Sequence, residues 1–195
     1  MWILSLEWLL LALLVFWMVG AFKRLKRLRL QGKQAFAEVD VQFTELIEVL
    51  RNCARLQALK ERVSSVYVQH AQHALLPSAD LLERALKQAR QHPLRPETIA
   101  ALDGAWQGAQ VAWQAYVQLC DGQSGVLAEH VQEWSQRWSQ LQTLQSHGTA
   151  QFNAAILDYN RAIAQFPACV IARLGGHKAG RTFHKDAALL MQPVS

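Results

Sequence analysis

Histidine, cysteine and clustered basic side chains are the groups through which this chain could do chemistry. Of seven histidines, His70 and His73 stand three apart and share a face if their segment is helical. Zinc asks for three or four ligands, and no carboxylate or cysteine stands at a matching offset, so the pair is not expected to bind a metal. Cys53, Cys120 and Cys169 lie far apart without a C-x-x-C, which points to neither a disulfide framework nor a zinc knuckle and suits a reducing compartment. Cys53 and Cys120 fall on apolar stripes and read as small core residues, and Cys169, after Phe-Pro, has only weakly basic neighbours, which argues against a reactive thiol there. The sequence contains no G-x-S-x-G, P-loop or G-x-G-x-x-G, and Gly175-Gly176 lacks the strand a phosphate loop needs. On these residues the chain reads as non-enzymatic, with no metal and no cofactor.

The charge is concentrated in one place. Lys23, Arg24, Lys26, Arg27 and Arg29 fall within seven positions that hold no acid. The chain has 20 Lys and Arg against 15 Asp and Glu, so removing these five leaves a balanced remainder. A nucleic-acid binder carries its excess charge on the folded domain, so no nucleic-acid partner is expected. The basic run follows residues 2–22, an apolar stretch in which Glu7 is the sole charge. At ~1.5 Å per residue that stretch matches a hydrocarbon core of ~30 Å. With no Lys or Arg before it and the basic run directly after, it reads as an uncleaved signal-anchor. The positive-inside rule then puts the short N-terminus outside the membrane and the remainder in the cytoplasm. Trp2, Trp8 and Trp17 sit toward the ends of the span, and Glu7 lies close enough to the outer end to reach the headgroups. The five bases form a collar that can contact anionic lipid at ~1 kcal/mol each.

Beyond the collar the apolar period is helical. Phe36, Val39, Phe43, Leu46, Leu50, Cys53, Leu56, Leu59, Val63 and Tyr67 make a coiled-coil-like stripe with no proline before Pro77, so the first helix is expected to reach about residue 75. Gly32 is its weak point, at ~1 kcal/mol relative to Ala. Ser78 and Asp80 read as the start of a second helix, broken near Pro93 and resumed at Pro96 with the stripe Ile99, Leu102, Trp106, Ala109, Trp113, Tyr116, Cys120. After a turn at 121–125, a third helix carries Leu127, Val131, Trp134, Trp138, Leu141, Phe152, Ile156, Tyr159, Ile163 and Phe166. Short turns between long helices make neighbours antiparallel. The fold class is therefore all-α: a transmembrane helix (1–22), a collar (23–31), an antiparallel bundle of three long helices (32–167) and a loose tail (168–195). Pairing across the 121–125 turn sets Trp106 opposite Trp138 and Trp113 opposite Trp134. The first and third helices then run parallel, which puts 152–167 beside 60–75, on the order of 80 Å from the collar.

Two stretches carry a family likeness. One is the anchor and collar followed by Val39-Asp40-Val41-Gln42 and Leu46-Ile47; the other is Phe152-Asn153, Tyr159-Asn160 and Phe166-Pro167. Together they resemble the LemA family of bacterial membrane proteins. The proline usual after Leu-Ile is replaced by Glu48-Val49, and the Glu-Asn pair and arginine expected upstream of the aromatic-Asn pairs are replaced around Gln145, Ser146, His147 and Thr149. The resemblance implies a single-pass helical-bundle protein and offers no catalytic residue to carry over. On spacing alone, Asn153 and Asn160 read as register-fixing asparagines of a helix seam.

Three function classes follow. The favoured one is a membrane-tethered scaffold or adaptor whose partners are membrane lipids and other proteins. The alternatives are an extracytoplasmic envelope bundle and a bundle enclosing a metal or small-molecule site.

Overall fold

The computed structural model describes residues 2–58, 66–120 and 126–183. They form five helices and no strand: α1 (Trp2–Ala58), α2 (Val66–Gln91), α3 (Pro96–Cys120), α4 (Val126–Ala164) and α5 (Ala168–Leu174). The expected turn at 121–125 lies outside the described residues.

α1 holds no proline, so its hydrogen-bond ladder continues from the apolar stretch through the collar into the bundle. Its stripe is buried as the periodicity predicts, with Val39, Phe43, Leu46 and Leu50 fully enclosed. The lower positions of that stripe, Leu56, Leu59, Val63 and Tyr67, lie outside the described side chains. Gly32 is a close-packing point: a Cβ there would stand 3.1 Å from Leu94 Cδ2 and 3.6 Å from Ile156 Cδ1.

The second element departs from the sequence reading. Pro77 does not separate two helices but lies inside α2. An internal proline costs ~3 kcal/mol. Here the stripe Leu75, Ala79, Leu82, Leu86 and Ala89 is buried on both sides of it, and that packing outweighs the penalty. The Ser78 hydroxyl donates to the Leu75 carbonyl at 2.8 Å, a local side-chain bond in the turn around Pro77. At 92–95 the chain does not merely kink; it reverses. Arg95 N–H donates to His92 O, and the Thr98 hydroxyl donates to His92 O and Arg95 O, which ties the turn shut ahead of Pro96.

The bundle therefore has four long helices rather than three. Arg51 meets Asp80 and Glu83 at 2.8 and 2.9 Å, and Arg90 meets Asp40 at 2.6 Å, so α1 and α2 are antiparallel. Phe36 meets Phe152 with ring centroids 6.0 Å apart, and Glu45 lies 4.0 Å from Arg137, so α1 and α4 are antiparallel as well. This corrects the parallel pairing of first and last helices, because the added reversal inverts α4 relative to α1.

The core is aromatic. Phe43 sits edge-on to Trp106 at 5.4 Å, and the expected Trp106–Trp138 pair forms at 5.5 Å. Trp113 stacks at 4.7 Å on Trp138 in place of the expected Trp134, which packs half-buried on the core. Trp138 thus lies between two rings of α3, contacts worth ~0.5–1.5 kcal/mol per pair beyond area burial.

Arg51 hydrogen-bonds Glu83 and holds its carboxyl below the ordinary value of 4.5. A depressed carboxyl stabilises the fold while ionised, and that contribution is lost as pH falls through the lowered value. Arg51→Ala should therefore lower the Tm at neutral pH, and the gap to wild type should close as pH is taken well below 4.5. A gap that widened in acid would contradict this assignment.

Candidate functional site at the collar end

Because α4 runs antiparallel to α1, the aromatic-Asn segment lies at the collar and not beside 60–75. The Trp17 and Phe166 rings meet edge-on at 5.3 Å. Tyr159 is buried close to Arg29: burial raises its hydroxyl pKa, with the Arg29 charge opposing. Lys23, Arg24, Lys26, Arg27 and Arg29 are all exposed, while Leu25 between them is buried.

The two asparagines do not set helix register. Asn160 donates from Nδ2 to Gly180 O at 2.9 Å and accepts from Gly180 N–H at 2.8 Å. Asn153 does the same with Phe183, at 3.1 and 2.8 Å. Each side-chain amide thus offers one donor and one acceptor to the backbone of a single residue, as a neighbouring strand would. The spacing matches. Seven helical residues rise ~10.5 Å, and three extended residues cover ~10 Å. Residues 175–183 consequently follow α4 in the opposite direction, and Phe183 is fully buried against Phe43 and Phe152. The tail expected to be loose from 168 is α5 and then this held segment as far as Phe183; 184–195 lie outside the described residues. Gly180 allows the close approach, since a Cβ there would stand 3.1 Å from Ile156 Cγ2. Two amides at heptad spacing, with a glycine and a phenylalanine three apart downstream, were the available signal.

Other predicted residues take structural positions. Val39 is core, and Asp40 accepts from Arg90, whose other nitrogen donates to the Thr44 hydroxyl at 2.9 Å. Phe166 was expected on the buried stripe but is 61% exposed, because α4 has already reached the collar there. Pro167 is buried and opens α5. Burial pushes the Cys53 thiol up to about 12, Cys120 is buried beside it, and Cys169 is partly exposed. His70 and His73 are exposed, and among the described residues no group of three or more His, Cys, Asp or Glu could hold a metal.

A cleft of about 640 Å³ opens at this end, between α1, the 92–96 turn and the 176–178 segment. Arg29, Lys33, Arg95 and Lys178 line it with Tyr159, and Glu97 is the acid among its lining residues. The α3 N-terminus at Pro96 adds the positive end of a helix dipole to the same wall. Toward the N-terminus of α1 from the collar, the Trp17–Phe166 pair is exposed and apolar. Chemically this end can hold anions and lie against an apolar–aqueous boundary.

Trp8, Leu9, Leu11, Leu13 and Phe16 farther up α1 are exposed to between 52 and 78%. Among the described residues no helix is long and apolar enough to cross a membrane. The described side chains of the apolar stretch begin at Trp8 and omit Leu10, so the anchor read from residues 2–22 lies partly outside them. In comparison with known proteins, no family model, no curated protein and no solved structure matches the chain.

The clamp makes a direct prediction. Replacing both Asn153 and Asn160 by Ala removes four hydrogen bonds of ~1 kcal/mol each, so the opening free energy of 180–183 should fall by about 2–4 kcal/mol in amide exchange. Protection unchanged at Gly180 and Phe183 would mean that something else holds the segment.

Proposed function

We propose that this is a single-pass membrane protein of LemA type, anchored by residues 2–22, whose cytoplasmic bundle acts as a non-enzymatic scaffold for protein assemblies. The observation that carries the reading is the continuity of α1. The apolar stretch and the bundle's first core helix are one helix, so residues 8–16 run on past the Trp17–Phe166 contact with large apolar side chains exposed. Such a surface in water is costly, and lipid is the environment that suits it. The collar at the junction supports a cytoplasmic bundle by the positive-inside rule. Trp17 and Phe166, in contact just ahead of the collar, suit the headgroup boundary. The motif residues Asp40, Asn153, Asn160 and Phe166 gain structural reasons here, as a helix clamp, a tail clamp and a contact with Trp17. The outer faces, rich in Gln, Ser, Arg and Glu, present broad surface to protein partners.

Cys169 supplies a native probe of this topology, because Cys53 and Cys120 are buried. The full chain should stay in the pellet through alkaline carbonate extraction. A membrane-impermeant maleimide should label Cys169 in inverted vesicles and leave it unmodified in right-side-out ones. Release by carbonate would remove the anchor, and labelling in right-side-out vesicles would put the bundle on the other side. For the scaffold role, a crosslinked pulldown from membranes should recover partners with the full chain and not with the anchor alone.

A further inference from the structure

We infer that the cleft at the collar end is a binding site for a phosphate group, supplied either by an acidic lipid headgroup or by a free phosphorylated small molecule. Its cations come from three separate places in the chain: Arg29 and Lys33 from α1, Arg95 from the α2–α3 turn, and Lys178 from the segment the asparagines hold. The reversal and the tail clamp are what bring them together. Elsewhere on the bundle Arg51, Lys87, Arg90, Arg137 and Arg161 each meet a carboxylate. Among the described residues none of the four cleft cations does, nor do Arg84 and Arg173 outside the cleft; Arg29 instead stands 3.5 Å from His177 Nδ1. Like charges gathered around one hollow repel each other, and a bound anion removes that repulsion.

The geometry favours phosphate over a simple halide. The guanidinium groups of Arg29 and Arg95 can each give two parallel N–H donors to phosphate oxygens, and the two lysines add point charges. The α3 N-terminus on the same wall favours an anion. Tyr159 adds a hydroxyl, which as a neutral phenol is able to donate. At about 640 Å³ the cleft has room for a phosphate together with the glycerol or sugar that carries it. The chemistry does not depend on the membrane reading; only the source of the phosphate does.

The experiment uses the full chain in neutral detergent micelles, by calorimetry. One arm titrates inorganic phosphate and glycerol 3-phosphate; the other titrates dioctanoyl phosphatidate, with dioctanoyl phosphatidylcholine as the neutral control. Binding in the first arm assigns a free phosphorylated ligand, and binding in the second alone assigns a lipid headgroup. In either case Arg95→Gln with Lys178→Gln should weaken binding by about tenfold or more, with an unchanged circular dichroism spectrum. Arg95→Lys, which keeps charge but not the fork, should weaken it less. The charge-matched control Arg84→Gln with Arg137→Gln, at exposed arginines that do not line the cleft, should leave it within about twofold. The proposal is overturned if neither arm binds above the phosphatidylcholine control. It is equally overturned if the control pair weakens binding as much as the cleft pair, since that would report net charge and no site.

Discussion

The reversal at 92–96 is the constraint on which the rest of the structure depends. Pro93 and Pro96 remove backbone donors on either side of a turn that Thr98 closes through the His92 and Arg95 carbonyls. One reversal more or less changes the parity of the bundle. With it, α4 returns toward the collar and α1 and α4 lie antiparallel over a long seam from Glu45–Arg137 to Trp17–Phe166. Without it, the aromatic-Asn segment would lie at the opposite end of the molecule, with neither the collar nor the cleft beside it.

The second organising feature is a match of two rises. An asparagine every two helical turns and a backbone group every three extended residues advance by nearly the same distance. Asn153 and Asn160 thus treat Phe183 and Gly180 as a helix-borne strand would, each amide exchanging both of its hydrogen bonds. Phe183 completes the core by filling the space between Phe43 and Phe152. Polar pairing fixes direction and register, and the buried ring adds a contribution of similar size, ~1.5–3 kcal/mol for a fully buried side chain of this kind.

These two features concentrate positive charge at one end of the molecule. The collar alone is a sequence of adjacent bases on an exposed helix surface, screened and solvated. The cleft is different, because Arg95 and Lys178 reach it from segments far from α1 in the chain. Placing cations around a shared hollow is unfavourable in isolation, and an anion bound there would relieve the repulsion.

The sequence by itself determined the secondary-structure class and the buried faces. The stripe from Phe36 to Cys53 and that from Ile99 to Cys120 are buried as their period requires, because in a helix the period alone selects a face. It also determined the apolar stretch, the collar and the Trp106–Trp138 contact, which follow from local composition and from one short turn. Tertiary structure decided the rest. Whether Pro77 ends a helix depends on the packing of Leu75, Ala79 and Leu82 around it, and whether Pro93 kinks or reverses a chain depends on which apolar face α2 and α3 can share. Both turn on contacts between residues distant in sequence, which local periodicity does not encode. The roles of Asn153, Asn160, Tyr159 and Phe166 were hidden for the same reason. Their partners are Phe183, Gly180, Arg29 and Trp17, and only the direction of α4 brings them within reach.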